Sequence, residues 1–474
     1  MGLKKKTISG IIWSFGSQGG KQVSQFIITA VLARLLSPKD FGLLGMATVF
    51  TGFVTLFAEL GVSGALIQKQ NVDDNHLSSA FWLNIVVGII LTLIFIALAP
   101  LIAGFYNKPE LKPILIVLSF NFVLSSFTVI QQTILTKDMD FRALAVRDVT
   151  AVIISGIVGI YLAYNGHGVW SLVYQLLTFT FVNGFLLWIL SKWRPKFIFS
   201  ITAIKDIFHF SANMTGFNIL GYFSGNIDYL LIGRFLGSES LGYYTLAYKL
   251  MMVPLRNVTA VISKVMFPVF SQIQNDLEKV CKTYLKMIKA IAFITVPAMF
   301  GLFVIAPEFI NIIYGPKWSP VIGLVKIFCF CGIAQSIGGT VVNIRLSQGK
   351  AGLQFKIGML NTFFATILIS IGLKWGIYGV TFFYTVFSII WSCYTVYITL
   401  PLIKMKLSTF IANLYMPFTT SLFLLFILLL IKRYILLSQL LTLIILPLIG
   451  IIVYVISLVY LKQIRIKDKK IVFP

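Results

Sequence analysis

Four cationic side chains lie within apolar stretches that are long enough to cross a lipid bilayer. Lys21 falls in the first stretch, and Lys249, Arg256 and Lys264 fall together in a later one. A charge near the membrane centre costs about 2.5–3.5 kcal/mol on insertion scales, so such a side chain usually faces a partner or a water-filled cavity. Few carboxylates are close to these four residues in sequence. The set therefore predicts a cavity that accommodates an anion.

Polar residues accompany the first cation along one helix face. Gln18 and Gln25 come three residues before and four residues after Lys21, which places all three on one side of a helix. The later cations are seven and eight residues apart, again on one side of a helix. Lys264 is near the end of its span, where simply reaching the membrane interface is an equal alternative. The predicted substrate-binding residues are Gln18, Lys21, Gln25, Lys249, Arg256 and Lys264.

Two carboxylates, Glu59 and Asp228, also fall within apolar stretches. Either they neutralise neighbouring cations or they carry a function of their own, and the residues alone leave both roles open. No catalytic residues and no metal site are predicted. Cys329 and Cys331 have poor spacing for a metal and no histidine nearby, so we interpret them as buried free thiols.

The elements that position these residues are membrane helices. The 474 residues are 58% hydrophobic and only 11% charged, a composition that excludes a soluble domain of this length. The apolar stretches are continuous rather than alternating, which favours helical spans over an outer-membrane barrel. We predict an all-α integral membrane fold with 14 spans, at 9–33, 41–67, 80–105, 113–135, 147–165, 168–190, 207–233, 241–270, 288–314, 320–348, 354–373, 377–401, 410–431 and 435–461.

The positive charges orient these spans. Of the 39 lysines and arginines, 9 lie in odd-numbered loops, 6 lie in the interior of spans, and 24 lie in the even-numbered loops, the termini or the first three residues of a span, Arg147 among them. By the positive-inside rule both termini are cytoplasmic. Most of the net charge of +24 therefore reflects topology and contact with anionic lipid headgroups, and it gives no support to nucleic-acid binding.

An internal repeat relates two parts of the chain at an offset of 200 residues. The identical pairs are Arg34 and Arg234, Leu36 and Leu236, Gly42 and Gly242, and Ala47 and Ala247. Six spans separate the copies, so both halves have the same orientation in the membrane, which is a parallel repeat. We predict two six-helix lobes around a central cavity, at 1–200 and 201–405, followed by two appended spans and a cytoplasmic tail at 406–474.

A series of short motifs runs from the second predicted span to the tenth. The motifs are Leu35–Gly42, Glu59–Gln68, Met139–Arg142, Asp228–Gly237, Leu241–Tyr248, Phe267–Pro268 and Tyr314–Trp318. In this order they resemble the polysaccharide transporters of the multidrug/oligosaccharidyl-lipid/polysaccharide exporter superfamily. The chain looks closest to the Wzx branch, which includes colanic-acid and teichuronic-acid exporters. The last two spans carry no motif of this group.

The resemblance implies a flippase of the bacterial cytoplasmic membrane. Its substrate would be an undecaprenyl-pyrophosphate-linked oligosaccharide, moved from the inner to the outer leaflet by alternating access between two lobes. No cofactor is implied and no ATP-binding motif is present, so the energy would come from a Na+ or H+ gradient or from removal of the product. Glu59 and Asp228 then become candidate ion-coupling carboxylates. The implied partners are the lipid-linked substrate and membrane lipids, with a polysaccharide polymerase and assembly machinery as further candidates.

Two other functions compete with this interpretation. A multidrug exporter of the same superfamily would carry acidic residues for cationic drugs, whereas the charges within spans here are mainly cationic. A membrane polymerase of lipid-linked glycans would be an enzyme with a sizeable outer loop, and the outer loops here are short.

Overall fold

Helices make up nearly all of the described chain. The computed structural model describes residues 3–58, 63–64, 66, 72–435, 438–460, 465–467 and 470–472. Helix is the expected result for this composition, because a backbone inside lipid has no water to bond and must pair its own N–H and C=O groups. The chain divides into two compact units, Met1–Gly242 and Tyr243–Pro474.

The first unit is built from helices that follow one another with short connections. They are α1 (Leu3–Leu35), α2 (Pro38–Ala58), α3 (Asp74–Tyr106), α4 (Leu111–Ser126), α5 (Val129–Lys137), α6 (Phe141–Tyr164), α7 (Val169–Leu190) and the first part of α8 (Ile201–Gln272). Helices α4 and α5 meet at a bend of 42°, the geometry of a broken span or a re-entrant loop.

The second unit continues from the later part of α8. Its helices are α9 (Leu277–Phe309), α10 (Pro320–Gly338), α11 (Val341–Ser347), α12 (Ala351–Gly372), α13 (Gly376–Thr399), α14 (Leu407–Tyr434) and α15 (Gln439–Tyr460). A π-helical turn, Ile310–Tyr314, extends α9, and three short 3-10 turns join the later helices: Pro316–Trp318, Leu373–Trp375 and Leu400–Ile403. Two three-residue strands, β1 (Arg465–Lys467) and β2 (Lys470–Val472), pair antiparallel near the end of the chain.

The predicted all-α membrane fold is confirmed. In the described part of the chain, helices occupy each of the 14 predicted spans. Helix α8 covers the spans predicted at 207–233 and 241–270, and its helical geometry is interrupted at Gly237, where φ is 84° and ψ is 178°. Glycine adopts this positive φ without the steric cost that a Cβ would add. The predicted lobe boundary at residue 200 stays a prediction.

The two glycines of the sequence repeat lie against each other's segments within the first unit. A Cβ added to Gly42 would lie 1.6 Å from the carbonyl oxygen of Ser238, and one added to Gly242 would lie 2.0 Å from that of Pro38. At the offset of 200 residues, Pro38 corresponds to Ser238 just as Gly42 corresponds to Gly242. The contact is therefore reciprocal, as expected where two repeat-related turns cross at a local two-fold axis.

The face of α2 that carries Gly42 also contacts the first part of α8 at positions farther along α2. The Tyr222 hydroxyl donates a hydrogen bond of 2.6 Å to the carbonyl oxygen of Val49 and lies beside Gly52. Gly233 lies against the ring of Tyr106 and the side chain of Met46. Glycine at these positions lets a helix and bulky aromatic side chains approach closely.

The appended helices α14 and α15 pack onto α9 within the second unit. Val304, Leu424, Leu428 and Leu446 form the buried apolar contact between them. Lys432 of α14 closes this contact at one end by donating hydrogen bonds to Glu308 Oε2 at 2.8 Å and to the Val304 carbonyl oxygen at 2.7 Å. The pair is partly buried, which keeps it from being fully screened by water.

Candidate functional site: a cationic cluster on α1, α5 and α6

Lys21 of α1 faces α6 and α7 in the first unit. Its side chain is 31% exposed, and its ammonium nitrogen lies 3.5 Å from Asp148 Oδ2 of α6. The same nitrogen lies 5.6 Å from the centre of the Phe179 ring of α7. An aromatic face and a single carboxylate oxygen leave the ammonium group, which has three N–H donors, with donor capacity to spare.

Arg147 joins the same cluster from the neighbouring position on α6. Its side chain is only 7% exposed. The guanidinium Nε and Nη2 donate to Asp148 Oδ1 at 2.9 and 2.5 Å, and Nη1 donates to Gln132 Oε1 of α5 at 3.2 Å. We call Lys21, Gln132, Arg147 and Asp148 the cationic cluster. It contains two cations and one carboxylate, so its net charge is +1.

The positions of Lys21 on α1 and Asp148 on α6 give the depth of the cationic cluster. Lys21 comes 14 residues before the end of α1 at Leu35, a distance of about 21 Å along a helix. Asp148 comes 16 residues before the end of α6 at Tyr164, or about 24 Å. A hydrocarbon core is about 30 Å thick, so a cluster about 21–24 Å from the predicted outer ends of both helices is expected inside it, toward the predicted cytoplasmic side.

The sequence pattern identified Lys21 but missed Asp148 and Arg147. Both were assigned to the start of a span, and Arg147 was counted among the loop cations. In the structure α6 begins at Phe141, after Asp140 accepts a hydrogen bond from the backbone N–H of Ala143 and caps the helix. This N-cap, a carboxylate in front of a helical run, was the signal that could have extended the span.

The glutamines predicted beside Lys21 occupy the same helix. Gln18 and Gln25 are both exposed on α1, within one turn of Lys21 on either side. Exposed amides at this depth provide donors and acceptors that suit hydroxyl groups better than lipid. The structure therefore keeps the polar stripe of α1 together.

The remaining predicted residues are distributed between the units. Lys249 and Arg256 lie on the later part of α8, in the second unit, and both side chains are exposed. Asp228 lies on the earlier part of α8, where it is 4% exposed and its Oδ1 accepts a hydrogen bond of 2.9 Å from the backbone N–H of Tyr229. Glu59 and the side chain of Lys264 lie outside the described residues.

Two further cations within the predicted spans contact uncharged side chains. Arg345 of α11 is 2% exposed, and its guanidinium donates to Gln354 Oε1 at 2.8 Å and to Thr399 Oγ1 at 2.8 Å. The ammonium nitrogen of Lys326 lies 5.6 Å from the centre of the Phe303 ring. Arg345 therefore joins α11, α12 and α13 through neutral acceptors, a stabilising role in the second unit.

Replacing Arg345 with methionine is expected to lower the free energy of unfolding by about 1–3 kcal/mol, because the buried Thr399 and the partly buried Gln354 lose their charged donor. Lys326→Met should cost less, about 0.5–1 kcal/mol, because only a cation–π contact is lost. Thermal unfolding of the purified chain in detergent checks both values. Equal stability of Arg345→Met and wild type would contradict the structural role.

Metal binding finds no support in the part of the chain that the structure describes. No group of three or more His, Cys, Asp or Glu side chains there could hold a metal ion. Cys329 and Cys331 are buried on α10 as free thiols.

Known proteins resemble this chain in both sequence and fold. Residues 31–323 match a family model described as "Polysaccharide biosynthesis protein". The lipopolysaccharide biosynthesis protein WzxC of Escherichia coli is 26% identical over 89% of this chain and 87% of its own length. The teichuronic acid biosynthesis protein TuaB of Bacillus subtilis is 27% identical over 74% of each chain.

A solved structure of the lipid II flippase MurJ, in an inward closed conformation, has the same fold. It superposes with a TM-score of 0.78 at 18% identity and covers 95% of this chain and 99% of its own. The family model spans more than half of the sequence. The chain belongs to this family of polysaccharide biosynthesis proteins and is a multi-pass membrane protein.

Proposed function

We propose that the chain is a flippase that moves an undecaprenyl-pyrophosphate-linked oligosaccharide from the inner to the outer leaflet of the bacterial cytoplasmic membrane. The observation that carries this proposal is the cationic cluster, a net positive group held within the hydrocarbon depth of a polysaccharide biosynthesis protein. A pyrophosphate diester is anionic, so lysine and arginine in a site of low dielectric constant offset its loss of hydration.

The other parts of the substrate also fit the first unit. Gln18 and Gln25 offer amide groups to sugar hydroxyls on the face of α1 that carries Lys21. The polyprenyl tail needs no protein site, because it can stay in lipid while the headgroup moves. Lys249, Arg256 and Lys264, on the later part of α8, stay predicted substrate-binding residues that would contact the same anion.

Alternating access requires that one side of the pathway closes while the other opens. The reciprocal contact of Gly42 with Ser238 and of Gly242 with Pro38 lies at the predicted outer ends of α1 and α2 and at the break of α8. Such a contact between repeat-related turns supports a role as an outer closure that separates when the site opens outward. In this orientation, which follows the positive-inside rule, both termini face the cytoplasm.

The energy source in this mechanism is an ion gradient or removal of the product. Glu59 and Asp228 are the candidate coupling carboxylates for Na+ or H+. A buried carboxylate on a span that also forms the closure is well placed to link ion binding to its opening. The chain acts as a transporter and not as an enzyme, and the glycan polymerase and assembly machinery are candidate partners that receive the exported lipid.

The function can be tested with the full chain in proteoliposomes that contain a fluorescent undecaprenyl-pyrophosphate-linked oligosaccharide. We expect the labelled glycan to become accessible in the opposite leaflet, with no change in its length. Lengthening of the glycan would support a polymerase instead. Transport of cationic dyes without transport of the lipid would support a multidrug exporter.

Replacing Arg256 with alanine is expected to reduce lipid export by about an order of magnitude, because the route loses a guanidinium that can bind phosphate. Protein level and insertion should not change, since the side chain is exposed. Lys286→Ala is the matched control, an exposed cation on α9 of the same unit that is outside the predicted route. Equal export by Arg256→Ala and Lys286→Ala would remove Arg256 from the site.

A further inference from the structure

We propose that Asp148 is an internal counter-ion that competes with the substrate's phosphate for Lys21 and thereby sets the rate of substrate release. It is a positioning residue, because it acts through Lys21 and Arg147. This role presupposes export of a lipid pyrophosphate, the function proposed for the chain.

The two oxygens of Asp148 have different partners. Arg147 donates two N–H groups to Oδ1, at 2.9 and 2.5 Å. Oδ2 lies 3.5 Å from the Lys21 nitrogen. Arg147 therefore fixes the carboxylate in place, while the second oxygen remains directed at Lys21.

The contact with Lys21 is the weaker of the two. A strong ammonium–carboxylate hydrogen bond has an N···O distance of about 2.7–2.9 Å, shorter than the one observed here. The Lys21 side chain is 31% exposed, whereas that of Arg147 is 7% exposed. An incoming anion can thus displace Asp148 from Lys21 without breaking the pair of Asp148 with the buried Arg147.

The charges of the cluster explain why such a counter-ion is useful. Without substrate, Asp148 reduces the cost of holding Lys21 and Arg147 at membrane depth. With an anion bound at Lys21, the same carboxylate is a like charge nearby and weakens binding. A site that must release its substrate in every cycle gains turnover from this competition, at the expense of affinity.

Asp148→Asn separates this role from a purely structural one. The amide keeps the shape of the side chain but no longer neutralises Lys21. We expect undecaprenyl pyrophosphate to bind the purified full chain at least about fivefold more tightly, while lipid export in proteoliposomes becomes slower by a similar factor. Damage to the structure would instead weaken both binding and export.

The control removes a carboxylate of the same unit that lies away from Lys21. Glu110 is paired with Lys39 at 3.0 Å, and both side chains are about half exposed. Glu110→Gln should leave the affinity for undecaprenyl pyrophosphate unchanged. An equal gain in affinity in Glu110→Gln and Asp148→Asn would show a general effect of net charge and overturn the counter-ion role.

A second comparison keeps the test decisive if Asp148→Asn fails to fold because Arg147 loses its partner. Arg147→Gln and the double variant Arg147→Gln/Asp148→Asn contain no buried guanidinium at this position. We expect the double variant to bind undecaprenyl pyrophosphate more tightly than Arg147→Gln alone. Unchanged or weaker binding in this comparison overturns the role of Asp148, whereas absence of binding by the wild-type chain overturns the proposed export function itself.

Discussion

Alanine at position 21 is expected to reduce export of the lipid-linked oligosaccharide at least about tenfold, while the amount of inserted protein stays the same. A hydrogen bond to a charged group contributes about 1.5–3 kcal/mol, and Lys21 is the more accessible cation of the cluster. The change leaves Asp148 paired with Arg147, so the first unit keeps this partly buried ion pair. Initial rates in proteoliposomes with equal amounts of folded protein provide the measurement.

Lys39→Ala is the matched control for this change. Lys39 is also a lysine of the first unit with one carboxylate partner, but its side chain is 49% exposed and lies at the start of α2. Its export rate should equal that of the wild type. Lys21→Arg should retain most of the activity because the charge remains. Wild-type export by Lys21→Ala would place the anion site elsewhere.

Alanine at Gly42 is expected to have the second large effect. The added Cβ would lie 1.6 Å from the Ser238 carbonyl oxygen, and a backbone atom of a packed turn cannot rotate away as a side chain can. Overpacking of this kind costs about 1–3 kcal/mol or more. In the proposed mechanism the two turns separate on opening, so this cost would fall on the closed state. We expect export to fall at least about tenfold because the closed state becomes the less populated one.

Labelling of a cysteine at position 238 measures the opening directly. Ser238 is 4% exposed, so a Ser238→Cys thiol should react slowly with a membrane-impermeant maleimide in a chain without its four native cysteines. Adding Gly42→Ala should speed the reaction. Gly104→Ala is the matched control, because Gly104 lies near the end of α3 with nothing within 4 Å of its added Cβ. Equal labelling in the two variants would show that the glycine contact does not control access.

Much of the fold could be predicted from the sequence because lipid imposes one rule on every span. Continuous apolar stretches of sufficient length must become helices, and the described part of the chain is helical at each of the 14 predicted spans. Among the described residues, 9 helices are long and apolar enough to cross a membrane, or 10 with the bent pair of α4 and α5. The repeat identified Gly42 and Gly242 as equivalent positions. It could not show that each glycine lies against the other's turn, since that contact depends on packing between segments 200 residues apart.

The candidate site was predictable only in part. Lys21 was identifiable as a charge inside an apolar stretch, but its partner Asp148 is 127 residues away and was placed at the edge of a span. Arg345 shows the opposite case. It is equally cationic and within a span, yet Gln354 and Thr399 satisfy it as a structural residue. A charged residue inside a span can therefore be assigned to a binding site or to a structural role only when its neighbours in the fold are known.

The central claim is that Lys21 and its cluster recognise the pyrophosphate of a lipid-linked glycan. The most direct test compares two substrates in proteoliposomes of the wild-type chain, one with the glycan joined to undecaprenol through pyrophosphate and one with the same glycan joined through an uncharged glycosidic bond. We predict export of the pyrophosphate-linked lipid, loss of that export in Lys21→Ala, and little export of the uncharged lipid by either protein. Equal export of both lipids by the wild-type chain would contradict recognition of the anion.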